Sequence, residues 1–320
     1  MSHSDQGARM SYRTIIIGLI LCLATTTFAA DFLVKNDAEF QKLLPKDASL
    51  QKLASGFQFT EGPTWLPWDS GFLIFSDIPA NHIKKYTPKD GITVFRDNSS
   101  NSNGNTTDRN GNLLTCEHSS RRLTLTTKEG STTVLTDKSA DGNRYNSPND
   151  LIVHSSGSVY FTDPPYGLPR DQKKEQPGNY VFRYDPKTKQ ATPVVKDFDM
   201  PNGVALSPDE KKIYIADSGR PHHIRAFDIT DDGSLANGKV FCVIDKGGPD
   251  GIRTDSTGRL WSSAADGVHI FSPTGELIGK ILVPESPANL AFGGPTGKTL
   301  FITARTSLYS IETNVTGTVK

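Results

Sequence analysis

Short apolar stretches recur along the chain, separated by polar breaks rich in glycine and proline. One set is apolar almost throughout and ends on a polar residue: residues 74–77, 114–117, 161–163, 215–217, 261–263 and 301–303. Each is followed by a stretch in which apolar and polar residues alternate: 83–86, 123–126, 180–184, 224–227, 268–271 and 308–311. A period of two marks half-buried strands. A further strand is expected at 92–95, 132–135, 192–195, 240–244 and 277–283. Ahead of each apolar stretch stands a related phrase: Glu61-Gly62-Pro63, Asn103-Gly104, Pro148-Asn149-Asp150, Pro201-Asn202-Gly203, Pro249-Asp250-Gly251 and Pro287-Ala288-Asn289. A repeat of roughly 40 to 50 residues with several short strands per unit predicts an all-β fold, a six-bladed β-propeller.

The sixth repeat runs out of chain before its last strand. A bare sheet edge is a liability, and residues 50–57 are left over before the first repeat. They are expected to complete the sixth blade and close the ring. The propeller domain then spans residues 49–315, preceded by a lead segment, 31–48, with a short helix. Residues 97–105 are polar and read as a loop. Residues 168–178 read as a charged insertion. Both are placed to overhang the axis.

Residues 1–30 read differently. Arg13 precedes the apolar run 15–24, which ends in small residues up to Ala29 and Ala30. This is the pattern of a secretory signal peptide cut after Ala29 or Ala30, and the run is too short to span a bilayer. A secreted or periplasmic protein, with no membrane attachment after cleavage, is the expectation. Of the three cysteines, Cys22 would leave with the leader, and Cys116 and Cys242 fall in different repeats and are expected to be free, buried thiols. A formal net charge of zero over 320 residues, without a basic run, argues against nucleic acid as a partner. Nothing in the chain calls for more than a monomer or a loose dimer. Asn98, Asn105 and Asn314 lie in Asn-x-Ser/Thr contexts.

Radial repetition aims equivalent positions at one axis. Glu61, Asn103, Asn149, Asn202 and Asp250 should therefore converge. Oxygen donors without cysteine or histidine select a hard cation. Two carboxylates, Glu61 and Asp250, would balance a divalent charge, with Asn149 and Asn202 completing the set. Calcium tolerates mixed carboxylate and amide ligands and irregular geometry; magnesium, manganese and zinc stay open, zinc least favoured. The competing reading is that Asn-Gly and Asp-Gly are ordinary turns. Glu61 speaks against it, because glutamate is not a turn former. Ala288 cannot donate a ligand in the sixth repeat, and Asn103 lacks the flanking proline and is taken as a substrate contact. The acids Asp77, Asp163 and Asp217, which close apolar strands, are expected to be structural. Asp163-Pro164-Pro165-Tyr166-Gly167 ends its strand abruptly and places Tyr166 at the channel rim.

Several of these runs together resemble the gluconolactonase and regucalcin (senescence marker protein) family, in particular its bacterial-type gluconolactonase branch. They are Phe59-Thr60-Glu61-Gly62-Pro63, Cys116-Glu117-His118 with Arg121-Arg122, Asn146-Ser147-Pro148-Asn149-Asp150, Phe161-Thr162-Asp163-Pro164-Pro165-Tyr166-Gly167, Pro201-Asn202-Gly203 and Pro249-Asp250-Gly251. The resemblance implies one catalytic divalent cation on Glu61, Asn202 and Asp250, with Asn149 as a fourth ligand or substrate contact. It implies hydrolysis of a sugar lactone to the aldonic acid. Arg144 stands where the resemblance suggests an arginine for sugar hydroxyls, although five residues before Asn149.

The residues suit that chemistry on their own terms. A cation would polarise a lactone carbonyl, and Asp250 would take a proton from the attacking water. His118, beside Glu117, is an alternative base or a partner for a substrate hydroxyl. There is no Gly-x-Ser-x-Gly elbow for a serine nucleophile. Two rivals stand beside this reading: a phosphotriesterase or other lactonase on the same scaffold, and a non-catalytic binding propeller stabilised by calcium.

Overall fold

The computed structural model describes Met1 and residues 26–29, 31–168 and 170–318. The leader expected over residues 1–30 lies outside the described residues, apart from Met1 and the backbone of Thr26–Ala29. The described residues form six antiparallel sheets, each running from an inner to an outer strand, as in a six-bladed β-propeller. The first blade is Thr60–Leu66, Phe72–Asp77, His82–Thr87 and Gly91–Arg96. The second is Ser102–Thr107, Leu113–Glu117, Arg122–Thr126 and Thr132–Thr136, and the third Leu151–Val153, Val159–Asp163, Tyr180–Asp185 and Gln190–Val195. The fourth is Pro201–Leu206, Lys212–Asp217, His223–Ile229 and Leu235–Val243. The fifth is Ile252–Thr254, Leu260–Ala264, Gly267–Phe271 and Leu277–Leu282, and the sixth begins with Pro287–Gly293, Thr299–Ala304 and Ser307–Glu312.

The sixth blade is completed from the other end of the chain. Ser49–Ser55 pairs antiparallel with Ser307–Glu312, with Ser55 opposite Ser307 and Gln51 opposite Ser310. Thr26–Ala29 adds a further strand outside it. Phe32–Val34 extends the fifth blade along Leu277–Leu282, an addition the sequence pattern did not announce. The short helix expected in the lead segment is Asp37–Phe40, whose first turn is capped by the Asn36 side chain accepting from the Glu39 N–H.

The second strand of each blade is sandwiched between two neighbouring blades, which explains its unbroken apolar character. Along Phe72–Asp77, Phe72 and Ile74 face the second blade, while Leu73 and Phe75 face the sixth. The same alternation fills the other wedges: blades two and three, three and four, four and five, and five and six, where Phe40 of the helix joins in. Each fully buried leucine or phenylalanine contributes on the order of 2 kcal/mol. Cys116 and Cys242 are free and buried. Among the described residues no helix is long and apolar enough to cross a membrane.

One expectation fails here. Residues 97–105 are not all loop, because Ser102–Thr107 is the inner strand of the second blade. Its polar composition hid it. The strand lines the axis, where its neighbours are backbone and amide groups of other blades, so its side chains are satisfied by hydrogen bonds. Asn105 donates to the Gly62 carbonyl at 2.9 Å and to Ser76 Oγ at 3.0 Å. Asn105 is fully buried, which removes it as an acceptor for glycosylation in the folded protein, whereas Asn98 and Asn314 are exposed.

Candidate functional site

The inner strands deliver their first residues to one end of the axis. Four of them carry a register irregularity at that end, between Glu61 and Thr64, Ser102 and Asn105, Pro201 and Val204, and Pro287 and Asn289. A bulge bends its strand and re-aims the side chain. The residues that follow pack backbone against backbone. Gly104 N–H donates to the Asn149 carbonyl at 2.8 Å, Gly203 to Asp250 at 3.1 Å and Gly251 to Ala288 at 2.8 Å. A Cβ on Gly203 would stand 2.2 Å from the Asp250 carbonyl oxygen, and one on Gly62 would stand 2.0 Å from that of Asn103. These glycines exist for close approach between blades and not for turns, which disposes of the turn reading.

The acids that close the apolar strands anchor the approach to each of these positions. Asp77 accepts from the backbone N–H groups of Gln58 and Phe59. Asp163 accepts from Asn146 and Ser147 at 2.7 and 2.8 Å, and Asp217 from Asp199 and Met200. Each carboxylate thus pins the two residues that lead into Glu61, Asn149 or Asn202.

The result is a cavity of about 680 Å³ whose lining includes Glu61, Asn103, His118, Asn149, Asn202 and Asp250. A chain of amides crosses its floor from blade to blade. Asn103 Nδ2 donates to Asn149 Oδ1 at 2.6 Å, Asn149 Nδ2 to Asn202 Oδ1 at 2.6 Å, and Asn202 Nδ2 to Ser218 Oγ at 2.9 Å. The last hydroxyl closes on the Pro249 carbonyl, one residue before Asp250. Asn103 Nδ2 also lies 3.3 Å from His118 Nε2. Across the seam of the ring, Glu61 Oε2 accepts from Gly62 N–H at 2.6 Å and from Asn289 Nδ2 at 2.9 Å.

Electrostatically the floor is unbalanced. Burial pushes the Glu61 carboxyl well above its ordinary range, against the hydrogen bonds from Gly62 and Asn289. Burial, then the neighbouring charges of Glu61 and Asp150, push Asp250 up as well. Asp150 has a partner, Arg253 Nη1 at 3.2 Å. Among the described residues no lysine or arginine pairs in this way with Glu61 or Asp250. Arg253 and Arg305 act on Glu61 and Asp250 only as lesser influences beside burial, and two buried carboxylates without an ion pair call for a positive charge from outside the chain. Asn103 Oδ1 adds a buried acceptor with no partner. Glu61, Asp250, Asn149 and Asn202 together offer carboxylate and amide oxygens only, the donor set of a hard divalent cation. Among the described residues, histidine, cysteine, aspartate and glutamate alone form no metal-binding group of three; half of this set is amide. His118 is buried, and burial lowers it to about 4, so its imidazole is neutral at neutral pH.

Glu61, Asn103, His118, Asn149, Asn202 and Asp250 are thus brought together, and Tyr166 stands half-exposed at the rim, as expected of the Pro-Pro break. Arg144 is a correction. It does not line the cavity; its Nη2 donates to the Ser120 carbonyl and its backbone N–H to Glu175. Five residues of chain before Asn149 carry it along the outside of the rim. Sequence reasoning also passed over residues that the fold supplies. Ile78, Ser218, Ala265 and Arg305 line the cavity beside the expected His118, and each of the five directly follows an apolar second strand. This second ring was legible from the same repeat alignment, one position beyond the strand ends. Asn289, one residue past Ala288, does not line the cavity but holds Glu61 from behind.

Comparison with known proteins agrees with this architecture. Residues 59–306 match the family model described as the SMP-30/Gluconolactonase/LRE-like region. A gluconolactonase of Zymomonas mobilis is 33% identical over 314 residues, covering 89% of this chain and 87% of that protein. A pentonolactonase of Haloferax volcanii is 27% identical over 252 residues, covering 76% of this chain and 80% of that protein. The solved structure of a gluconolactonase from Xanthomonas campestris superposes with a TM-score of 0.83 at 32% identity, covering 90% of this chain and 97% of that one. The chain therefore belongs to the SMP-30/gluconolactonase/LRE-like family.

Proposed function

We propose that this protein is a divalent-cation-dependent hydrolase that opens a sugar lactone of the glucono-1,5-lactone type to its aldonic acid. The observation that carries the proposal is the pairing of Glu61 and Asp250, two buried carboxylates with no ion pair among the described residues, with the amides of Asn149 and Asn202 on the floor of the cavity. The gluconolactonase and pentonolactonase relatives support the substrate class. Glu61, Asn149, Asn202 and Asp250 would hold the ion, with calcium the first choice because the amides and the irregular set suit it. A bound divalent cation supplies a Lewis acid for the lactone carbonyl and for the charge that develops on its oxygen.

The chain's own residues do the remainder. Asp250 takes a proton from the attacking water as the water oxygen bonds to the carbonyl carbon. The ring C–O bond then breaks, and the departing alkoxide oxygen takes the proton that Asp250 holds, which returns the carboxylate to its starting state. Glu61, held by Gly62 and Asn289, stays an acceptor fixed in one orientation. The neutral imidazole of His118, the free Oδ1 of Asn103 and the Tyr166 hydroxyl face the cavity and suit the hydroxyls of a polyhydroxylated ring. A carboxylate is a weak base, which suits an activated ester better than an amide.

The test is a pH-stat assay of glucono-1,5-lactone hydrolysis after chelation and again with calcium restored. Activity that disappears and returns supports the reading; rates unchanged by chelation overturn it. We further propose that the protein works outside the cytoplasm, on the strength of Arg13 and the apolar run 15–24. Cleavage after Ala29 or Ala30 would remove the outermost strand of the sixth blade and leave Ser49–Ser55 in place. N-terminal sequencing of exported protein decides it, and an intact Met1 would refute it.

A further inference from the structure

Arg305 is the one lysine or arginine among the described residues that line the cavity. It belongs to the two-residue turn between Thr299–Ala304 and Ser307–Glu312, in which Ala304 pairs with Ser307. That turn is fastened on both sides. The Arg305 carbonyl accepts from Thr60 N–H at 2.8 Å, immediately before Glu61. Thr306 donates its N–H and hydroxyl to Glu285 at 3.1 and 2.8 Å. The guanidinium lies over the ring of Phe59, with 5.4 Å from Cζ to the ring centroid, and Phe59 also lines the cavity. The backbone at Arg305 is left-handed, with φ of 48°, a conformation that glycine or asparagine adopts more readily.

Arg305 is exposed, and no carboxylate among the described residues forms an ion pair with it, whereas Arg109 and Arg220, exposed as well, each have one. A ring face supports a guanidinium from one side and leaves its N–H edges free. Those edges match a carboxylate or phosphate as a bidentate partner. A neutral substituent would displace their water and leave the charge unmatched. The cavity, at about 680 Å³, lies within the roughly 300–1,000 Å³ of small-molecule sites and has room for a substituent beyond a single lactone ring.

We infer that Arg305 binds an anionic substituent of the substrate, so that the preferred lactone carries a carboxylate or phosphate away from its reacting carbonyl. This rests on the lactone-hydrolase reading of the same cavity. Arg305 is then a specificity residue in the same cavity, near enough to the floor for its charge to act on Asp250.

The experiment compares the metal-loaded wild type with Arg305→Gln and Arg305→Lys on three lactones: neutral glucono-1,5-lactone, the carboxylate-bearing glucaro-1,4-lactone and 6-phosphoglucono-1,5-lactone. The loss of kcat/KM in Arg305→Gln should be larger on an anionic lactone than on the neutral one by about tenfold or more, the scale of one charge-assisted hydrogen bond. Arg305→Lys should recover part of that difference. The anionic lactone with the larger difference identifies carboxylate or phosphate as the group bound. Equal losses on all three lactones would overturn the assignment. If the wild type opens no lactone, the functional reading fails and calorimetry decides Arg305 separately. Glucarate and inorganic phosphate are titrated into wild type and Arg305→Gln; binding of either weakened about tenfold by the substitution sustains the anion site, and equal binding of both removes it.

Discussion

Asn289 of the sixth blade donates its Nδ2 hydrogen bond to Glu61 of the first at 2.9 Å, across the seam where the ring closes. Both residues are buried, and Asn289 Oδ1 is occupied by its neighbour's backbone, Leu290 N–H, at 2.8 Å. The amide therefore has one orientation, and it holds a proposed cation-binding carboxylate by closing the ring.

Asn289→Leu should leave Glu61 with one hydrogen bond fewer in a buried setting. The expected cost is about 1–3 kcal/mol in urea unfolding. Calcium affinity, followed by titration after chelation, should fall as well. A variant with unchanged stability and affinity would show that the seam contact does not position Glu61.

Asp250→Asn separates a catalyst from a scaffold. Burial and the charge of Glu61 both oppose ionisation of Asp250, so a neutral amide at this place relieves repulsion in the folded state. In the presence of chelator the variant should melt no lower than wild type. Its kcat should fall by about 10²–10⁴-fold, the range of a lost general base. Unfolding in place of lost turnover would make the site structural.

Gly203→Ala tests the close approach of the fourth and fifth blades. Gly203 is not in the left-handed region, so an alanine there would be harmless in an ordinary turn. Its Cβ would stand 2.2 Å from the Asp250 carbonyl oxygen. The blades must part, at a cost of about 1–3 kcal/mol, and the residue that moves is Asp250. Thermal unfolding and kcat/KM should fall together.

Glu285 makes ring closure dependent on pH. It meets Lys52 of the closing strand at 3.1 Å, accepts from Tyr309 at 2.9 Å, and also accepts from the Ser307 hydroxyl. Burial alone would raise its carboxyl, but the hydroxyls of Ser307, Thr306 and Tyr309 outweigh burial and lower it to about 2. A folded value below the unfolded one contributes stability that is complete above about pH 4.5. It is lost as the pH falls toward 2. The contribution is on the order of 1–2 kcal/mol, since the side chain is 23% exposed and screened by water. Melting curves of wild type and Glu285→Gln should differ at pH 6 and converge near pH 2; a constant difference would assign the stability to shape alone.

Removing residues 1–57 should open the ring. It strips Ser49–Ser55 from Ser307–Glu312 and takes away Leu50 and Leu53, which pack into the wedges on the two sides of the sixth blade. At about 2 kcal/mol for each leucine and 2–4 °C for each kcal/mol, the melting temperature should drop by about 10 °C or more. Removing residues 1–48 leaves the closing strand in place and should cost less. Equal melting temperatures for the two truncations would refute closure by this strand.

Much of the architecture is local information. Strand positions, the number of blades and the need for a closing strand follow from apolar periodicity, because a strand between two blades must be apolar on both faces wherever it sits. Glu61, Asn149, Asn202 and Asp250 group from sequence alone because radial symmetry makes equivalent sequence positions neighbours in space. Where a strand is satisfied by hydrogen bonds from other blades, the periodicity vanishes, and Ser102–Thr107 looked like loop for that reason. Tertiary structure alone decided which side chains face the cavity, excluding Arg144 and admitting Arg305 and Ser218, and placed Asn289 behind Glu61. Which way an exposed or bulged residue points depends on partners hundreds of positions away. It alone decided, too, that among the described residues Glu61 and Asp250 form no ion pair, because the charge environment of a buried group is a sum over all that the fold brings near it, and no stretch of sequence contains that sum.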